Sequence, residues 1–361
     1  MDEKTLGLIE KVLDEPSCYP EYERKSRDAR KAELIDWYEK YGEVNICYNL
    51  YGMDRTCAVP NDQYLDRGLF RKQRHDVNAR FFPAGSKFPY DYTLLMRDKL
   101  SFEFFMKSAL GQRGPFCASI AFLIGGKLYD NTDQGLLPMT VGQLSGKLEG
   151  KKVVFKQSFG CSGDDIRIVS FRNGSIFEKG VRFGADAFIK SLSAPNESWL
   201  IQDYLCQHEF LKKINASSVN TMRILTFHTG EEVYVGNAVL RYGRNGSVID
   251  NADNGGMMTG IDAEGFLSPY AFSFIEKKRC ASSFAGMQLP FFKEAKELVR
   301  RAHGFLPGLF TIGWDVVFCP DGPIILEGND GWDPYLSQVP AGLPLRETWE
   351  HYLNMRNAVL K

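Results

Sequence analysis

No stretch of this 361-residue chain approaches the roughly eighteen apolar residues that a membrane-spanning helix needs. Its opening, Met1-Asp2-Glu3-Lys4 and onward, holds no apolar core of signal-peptide length. The sequence therefore predicts a cytoplasmic protein with no membrane span. Charge of one sign is lacking as well: 44 Lys and Arg stand against 45 Asp and Glu. No global field draws the chain to nucleic acid, and none is expected as a partner. The eight cysteines include no C-x-x-C pair and no zinc-type spacing to any of the five histidines, which excludes a disulfide framework and a structural zinc. Internal repeats and low-complexity segments are also missing. What remains is a globular composition, 44% hydrophobic, at a length that implies two or three packed lobes.

Residues 1 to about 90 carry helical periodicity, with Leu6, Ile9, Val12 and Leu13 on one face and Leu34, Ile35, Trp37 and Tyr38 on another. A basic concentration follows (Arg67, Arg71, Lys72, Arg74, His75, Arg80, Lys87), which reads as a solvated face. From about Tyr92 short apolar runs alternate with glycine and proline, the texture of strands mixed with helices. Helices are predicted over 100–110, from Thr140 (with Gln143 completing a capping box) to near Gly150, and from Pro290 to Gly304. Strands are predicted at 117–124, 153–157, 166–171, 199–205, 223–227, 233–242, 314–319 and 324–329.

The last two strands form a hairpin bearing acids. Alternation places Asp315, Val317 and Cys319 on one face with Ile325, Glu327 and Asn329, and a three-residue loop, Pro320-Asp321-Gly322, sets Asp315 across from Glu327. Two carboxylates and an amide carbonyl make a hard, incompletely closed oxygen site suited to magnesium that takes its other ligands from phosphates. Upstream, the strand ending in Lys156 runs into the glycine-spaced loop Ser158-Phe159-Gly160-Cys161-Ser162-Gly163, whose backbone amides can line phosphate oxygens; a plain hairpin turn has the same appearance. The apolar strand 199–205 offers an edge to a flat base, with Glu209 just beyond it.

In that order, these segments resemble the ATP-grasp superfamily of carboxylate-amine ligases over about Tyr92 to Tyr335. Ser218-Val219-Asn220-Thr221-Met222-Arg223, Asp250-Asn251 with Gly255-Gly256, and the Glu-Gly-Asn ending look closest to its sugar-transfer-associated branch. The resemblance implies an α+β fold, two α+β subdomains clasping ATP, beside a helical N-terminal lobe. The divisions expected are 1–90 for that lobe, 91–150 for a pre-grasp subdomain, 151–207 for the lid and 208–361 for the C-terminal subdomain. It further implies that Lys99 and Lys156 hold phosphates under a flap formed by Ser158, Gly160, Ser162 and Gly163. Gln202 and Leu205 would meet adenine, Glu209 the ribose, and Asp315, Glu327 and Asn329 the Mg2+ ions.

Many such ligases carry an arginine two residues before the metal aspartate, where this chain has Gly313. Arg223 is the first candidate to replace it at the oxyanion and Arg241 the second, since each stands at the rim of an apolar strand. The segment 250–256 reads as a mobile loop over the site. The activity implied is ATP-dependent joining of a small-molecule carboxylate and an amine through an acylphosphate, in a branch thought to act on cell-surface glycans or their precursors. A small-molecule kinase and a nucleotide-binding protein without turnover are the alternatives.

Overall fold

The computed structural model describes residues 1–80, 92–159, 166–244, 246–247 and 250–360. Its strands form two antiparallel sheets. The first contains β1 (Ser119–Ile124), β2 (Lys127–Thr132), β3 (Gly135–Pro138), β4 (Lys152–Gln157), β5 (Ile166–Arg172), β6 (Ser175–Glu178), β7 (Val181–Gly184) and β8 (Ser198–Asp203), in the order β3-β2-β1-β8-β4-β5-β6-β7. β1 turns into β2 through Gly125 and Gly126, whose φ angles of 54° and 79° are what a tight two-residue hairpin requires. The helix Val141–Leu148 opens with the expected capping box, Thr140 and Gln143 satisfying each other's amides. Its Leu144 and Leu148, with Phe188 of the helix Ala185–Ser191, pack on Phe155 and Phe171 of the sheet. The division expected at residue 150 falls inside this layer, because β1 pairs with β8, so residues 119–203 form one sheet.

The second sheet contains β9 (Thr221–His228), β10 (Val233–Tyr242), β11 (Met257–Ile261), β12 (Leu267–Ser273), β13 (Lys278–Ala281), β14 (Thr311–Cys319) and β15 (Gly322–Asn329), in the order β13-β12-β11-β10-β9-β14-β15. β9 and β14 are buried at every residue, since both faces are covered. One cover is the helix Phe292–His303, which buries Ala295, Leu298, Val299 and Ala302. It starts two residues after Pro290: Phe291 takes a left-handed conformation (φ 55°) at the N-cap, and Pro290 belongs to the preceding turn.

Two histidines meet at the end of this helix, its own last residue His303 and His228 of β9. His303 Nε2 donates to the Leu309 carbonyl (3.0 Å), so its Nδ1 accepts from the Thr226 hydroxyl (2.7 Å), and the ring of His228 packs edge-on at 5.4 Å. Burial pushes His303 down to about 3 and His228 to about 4, from 6.5. Both are neutral in the fold and become protonated on unfolding below 6.5. Their contribution is therefore complete above that value, declines as pH falls, and is gone once pH passes the folded values. Stability is expected to fall between pH 6.5 and about pH 5 by up to about 2.7 kcal/mol per pH unit for two protons. A urea midpoint that stays flat across that window contradicts the assignment.

The N-terminal lobe contains the helices Glu3–Asp14, Arg27–Tyr41 and Arg67–Ala79, capped by Asp2, Ser26 and Asp66. Ile9, Val12, Leu34 and Trp37 form its core, which docks on Phe272, Tyr335 and Val339. Within the basic run Arg71, Lys72, His75 and Arg80 are exposed, as expected of a solvated face, and two other members pair with acids. Arg67 pairs with Asp333 (3.1 Å) and Arg74 with Asp330 (2.7 Å), fastening the lobe to the chain just after β15, while Lys87 lies outside the described residues. Among the described residues no helix is long and apolar enough to cross a membrane.

Candidate functional site

β14 and β15 form the acidic hairpin, with Asp315 across from Glu327 and Gly313 across from Asn329. The route to that register differs from the one predicted. Cys319 pairs with Gly322, so the loop has two residues, Pro320 and Asp321, and a bulge at Leu326 restores the offset before Glu327. The bulge also re-aims side chains. Ile325 joins Val316 in the apolar core, against the expectation that it shares the face of Asp315, and Leu326 lines the cleft described below.

Asp315 is fully buried beneath two arginines. Arg223, its cross-strand partner on β9, donates from Nε to Oδ1 (2.5 Å) and from Nη2 to Oδ2 (3.0 Å), a bidentate fork. Arg241 of β10 reaches both oxygens from Nη1 (3.2 and 3.3 Å) and Asp250 from Nη2 (3.4 Å), and its buried Nε has no hydrogen-bond partner. Burial alone would raise the Asp315 carboxyl, but the two guanidinium charges prevail and hold it well below the usual carboxylate range. Burial likewise opposes the charge on Arg241, while Asp315, Asp250 and Glu327 outweigh it and raise that group. Three carboxylates thus face two guanidinium groups, leaving one negative charge in the cluster.

Gly313 now has a physical reason. A Cβ there would lie 3.0 Å from the Arg223 side chain and 2.8 Å from Trp332, so the stem of Arg223 crosses the space that a residue at 313 would fill. The space beside Gly313 is thus filled by a side chain from the neighbouring strand. Asn329 Nδ2 lies 3.4 Å from Asp315 Oδ2, which turns its carbonyl oxygen away from the carboxylate.

A cleft of about 930 Å³ separates the two sheets. Lys156, Gln202 and Leu205 line it from the first sheet and its edge, and Thr221, Asp250 and Leu326 from the second. Lys156 is half-buried and has no ion-pair partner among the described residues, an unusual state for a strand lysine. Gln202 donates its amide to the Cys117 carbonyl (2.9 Å), leaving its Oε1 as an acceptor. The Cys117 amide in turn donates to the Ile325 carbonyl (2.9 Å), so one residue ties β8 to the acidic hairpin.

Other expected residues are placed differently. Ser158 is buried, and its hydroxyl is taken by Asp98 and the Leu100 amide, while its carbonyl accepts from the Lys99 amide (3.1 Å). It fixes the helix Lys99–Leu110 to the end of β4, and its side chain is not free for phosphate. Lys99 is therefore held at the first turn of a helix beside that loop, half-buried. Gly160, Ser162 and Gly163 lie outside the described residues. Glu209 is exposed, pairs with Lys212 (2.5 Å) and does not line the cleft. The loop expected to be mobile is anchored at its start, because Asp250 is buried and accepts from the Thr221 amide (2.9 Å) and hydroxyl.

Sequence reasoning missed Asp250 as a charged member of the cluster, and it missed Lys152, which lines the cleft with its Nζ 3.7 Å from the Tyr204 ring centroid. Strict alternation from Lys156 along β4 was the available signal for Lys152. Among the described residues no group of three or more His, Cys, Asp and Glu could hold a metal ion. An ion at the hairpin would have two carboxylates and one amide oxygen as protein ligands, the open donor set of a magnesium that also binds phosphate.

A profile of the family described as sugar-transfer associated ATP-grasp matches residues 127–352. No curated protein matches the chain. Among solved structures it is similar to D-alanine–D-alanine ligase from Bacillus anthracis, with 12% identity and a TM-score of 0.41 over 74% of this chain and 69% of that one. It is also similar to the ATP-grasp ligase PsnB, solved with a phosphomimetic variant of its minimal precursor, Mg and ADP, with 14% identity and a TM-score of 0.37 over 72% and 59%. A third is N5-carboxyaminoimidazole synthase from Aspergillus clavatus, solved with ADP and its ribonucleotide, with 11% identity and a TM-score of 0.35 over 69% and 52%. The chain covers less than two thirds of the length of the last two.

Proposed function

Because the chain belongs to the sugar-transfer associated ATP-grasp family, we propose that it is an ADP-forming ligase that joins a carboxylate to an amine through an acylphosphate. One substrate is a sugar-linked or amino-acid-derived small molecule of the kind that builds cell-surface glycans. The observation that carries the reading is the pairing of Asp315 with Glu327 on a hairpin whose charge is organised by Arg223 and Arg241, beside a cleft whose opposite wall bears a lysine without an ion-pair partner among the described residues.

In this reading Lys156 and Lys99 bind the phosphates, Gln202 Oε1 accepts from the adenine amino group, and Leu205 packs on the ring. Glu327, Asn329 and Asp315 hold magnesium, which neutralises charge on the transferred phosphoryl group when bound. The arginines divide their work. Arg223 spends Nε and Nη2 on the short bidentate pair with Asp315, so Arg223 is a positioning residue for the metal aspartate. Arg241 makes longer contacts to Asp315 and Asp250, which a more highly charged oxyanion can displace, so it is the better candidate to hold the oxyanion of the acylphosphate and its adduct. That reverses the order of preference drawn from the sequence.

Lys156→Ala is expected to raise the dissociation constant for ATP by about tenfold or more, the worth of one charge-assisted contact to phosphate. Calorimetric titration checks it, and an unchanged affinity removes Lys156 from the nucleotide. The reaction class is tested by supplying MgATP with panels of sugar acids and amino acids and weighing the product. A condensation product formed with ADP supports the ligase, and a phosphorylated hydroxyl compound supports a kinase in its place.

A further inference from the structure

A second cavity, of about 280 Å³, lies where the N-terminal lobe meets β12, β13 and the helix Pro334–Ala341, and it shares no lining residue with the cleft. It sits toward the edge of the second sheet opposite the acidic hairpin. Its wall contains an alternating stack of rings and cations. The guanidinium of Arg55 lies 5.0 Å from the Tyr22 ring centroid and 4.4 Å from that of Tyr19. Arg279 lies 4.0 Å from Tyr19 and 4.1 Å from Tyr270. Stacking occupies the faces of both guanidinium groups and leaves their N–H edges as the groups able to meet a ligand.

The charge of this wall is one-sided. Among the described residues no aspartate or glutamate lines the cavity. Arg279 has a single acidic partner, Glu21, which sits outside the lining and is 43% exposed. Among the described residues Arg55 has none, and the one hydrogen bond of its side chain, from Nε to the Gly52 carbonyl (2.9 Å), leaves the terminal nitrogens of its fork without a described acceptor. Adhesion between the lobe and the sheet does not require two arginines beside the same ring with one carboxylate between them. An oxyanion with two or more acceptor oxygens does use such a pair, and the surrounding tyrosine hydroxyls and Ser268 suit a hydroxylated carbon skeleton attached to it.

We propose that this cavity is a binding site for a small phosphomonoester, held by Arg55 and Arg279 against Tyr19 and separate from the nucleotide cleft. The site reads the phosphate group, which can arrive free or on a hydroxylated carbon skeleton. Calorimetric titration of the full chain with ribose 5-phosphate, inorganic phosphate and unphosphorylated ribose tests this. Ribose 5-phosphate is expected to bind, ribose not to bind, and ribose 5-phosphate affinity to drop about tenfold or more in Arg55→Gln and in Arg279→Gln. Circular dichroism shows whether each variant is folded, and Arg55→Gln removes no ion pair. Equal binding of inorganic phosphate identifies the free ion as the ligand and supports the site. The proposal is overturned if the folded wild type binds neither phosphate compound, if a folded Arg55→Gln binds as well as wild type, or if MgATP competes with ribose 5-phosphate.

Discussion

Replacing Glu327 by glutamine is expected to lower turnover by about 10²- to 10³-fold or more while leaving the fold and its melting temperature in place. The substitution preserves side-chain volume at a half-buried strand position, so packing is undisturbed. It removes the one negative charge by which the acidic cluster exceeds its two guanidinium groups, and with it the attraction for a divalent cation. Without metal, the relief of like charge facing Asp315 across the ladder offsets the lost attraction between Glu327 and Arg241. Melting curves with and without magnesium separate the two effects. The wild type is expected to gain stability with magnesium and nucleotide, and the variant to gain less. A variant with wild-type turnover and wild-type magnesium dependence removes the hairpin from the active site.

The largest loss of stability is expected from Arg223→Met. Asp315 is 1% exposed and bound by a bidentate fork, so removing the fork leaves a buried carboxylate with only the longer contacts of Arg241 and Asn329. Breaking a buried pair in this way costs about 3 to 5 kcal/mol. Neutralising the aspartate in the same chain, Arg223→Met with Asp315→Asn, should recover much of that stability without recovering activity. The double-mutant cycle reads the coupling directly, and additive losses contradict the pairing. Arg223→Lys keeps the charge without the planar fork, so it should be better tolerated by the fold than by the chemistry. Arg241→Lys is expected to slow single-turnover ADP formation more than Arg223→Lys does, with ATP affinity retained in both.

The hairpin was legible because alternation is a local property: Glu327 and Asn329 share a face, and either a three-residue loop or a two-residue loop with a bulge brings that face level with Asp315. The turn itself was not. A two-residue loop with a bulge and a three-residue loop without one give the same pairing at Glu327, and only the destination of Ile325 distinguishes them. Residues at the first turn of a helix were the least legible. Glu209 stands at the expected distance from the strand, yet its side chain finds Lys212 one turn along, and Ser158 is captured by Asp98, a partner sixty residues away in sequence. The edge strands β2, β3, β6 and β7 went unread because they are short and mostly lack an apolar row, which leaves pairing to the hairpin turns between them. The role of Gly313 needed three dimensions, since the side chain that replaces its own comes from the adjacent strand.

The central claim, that a carboxylate is activated as an acylphosphate in the cleft beside the acidic hairpin, is tested most directly by trapping with hydroxylamine. The enzyme is supplied with MgATP and a carboxylate substrate in the absence of amine, and hydroxylamine is added while ADP is followed. Carboxylate-dependent ADP release with one hydroxamate formed per ADP is the predicted result. ADP release with a stable phosphorylated hydroxyl product and no hydroxamate would contradict it.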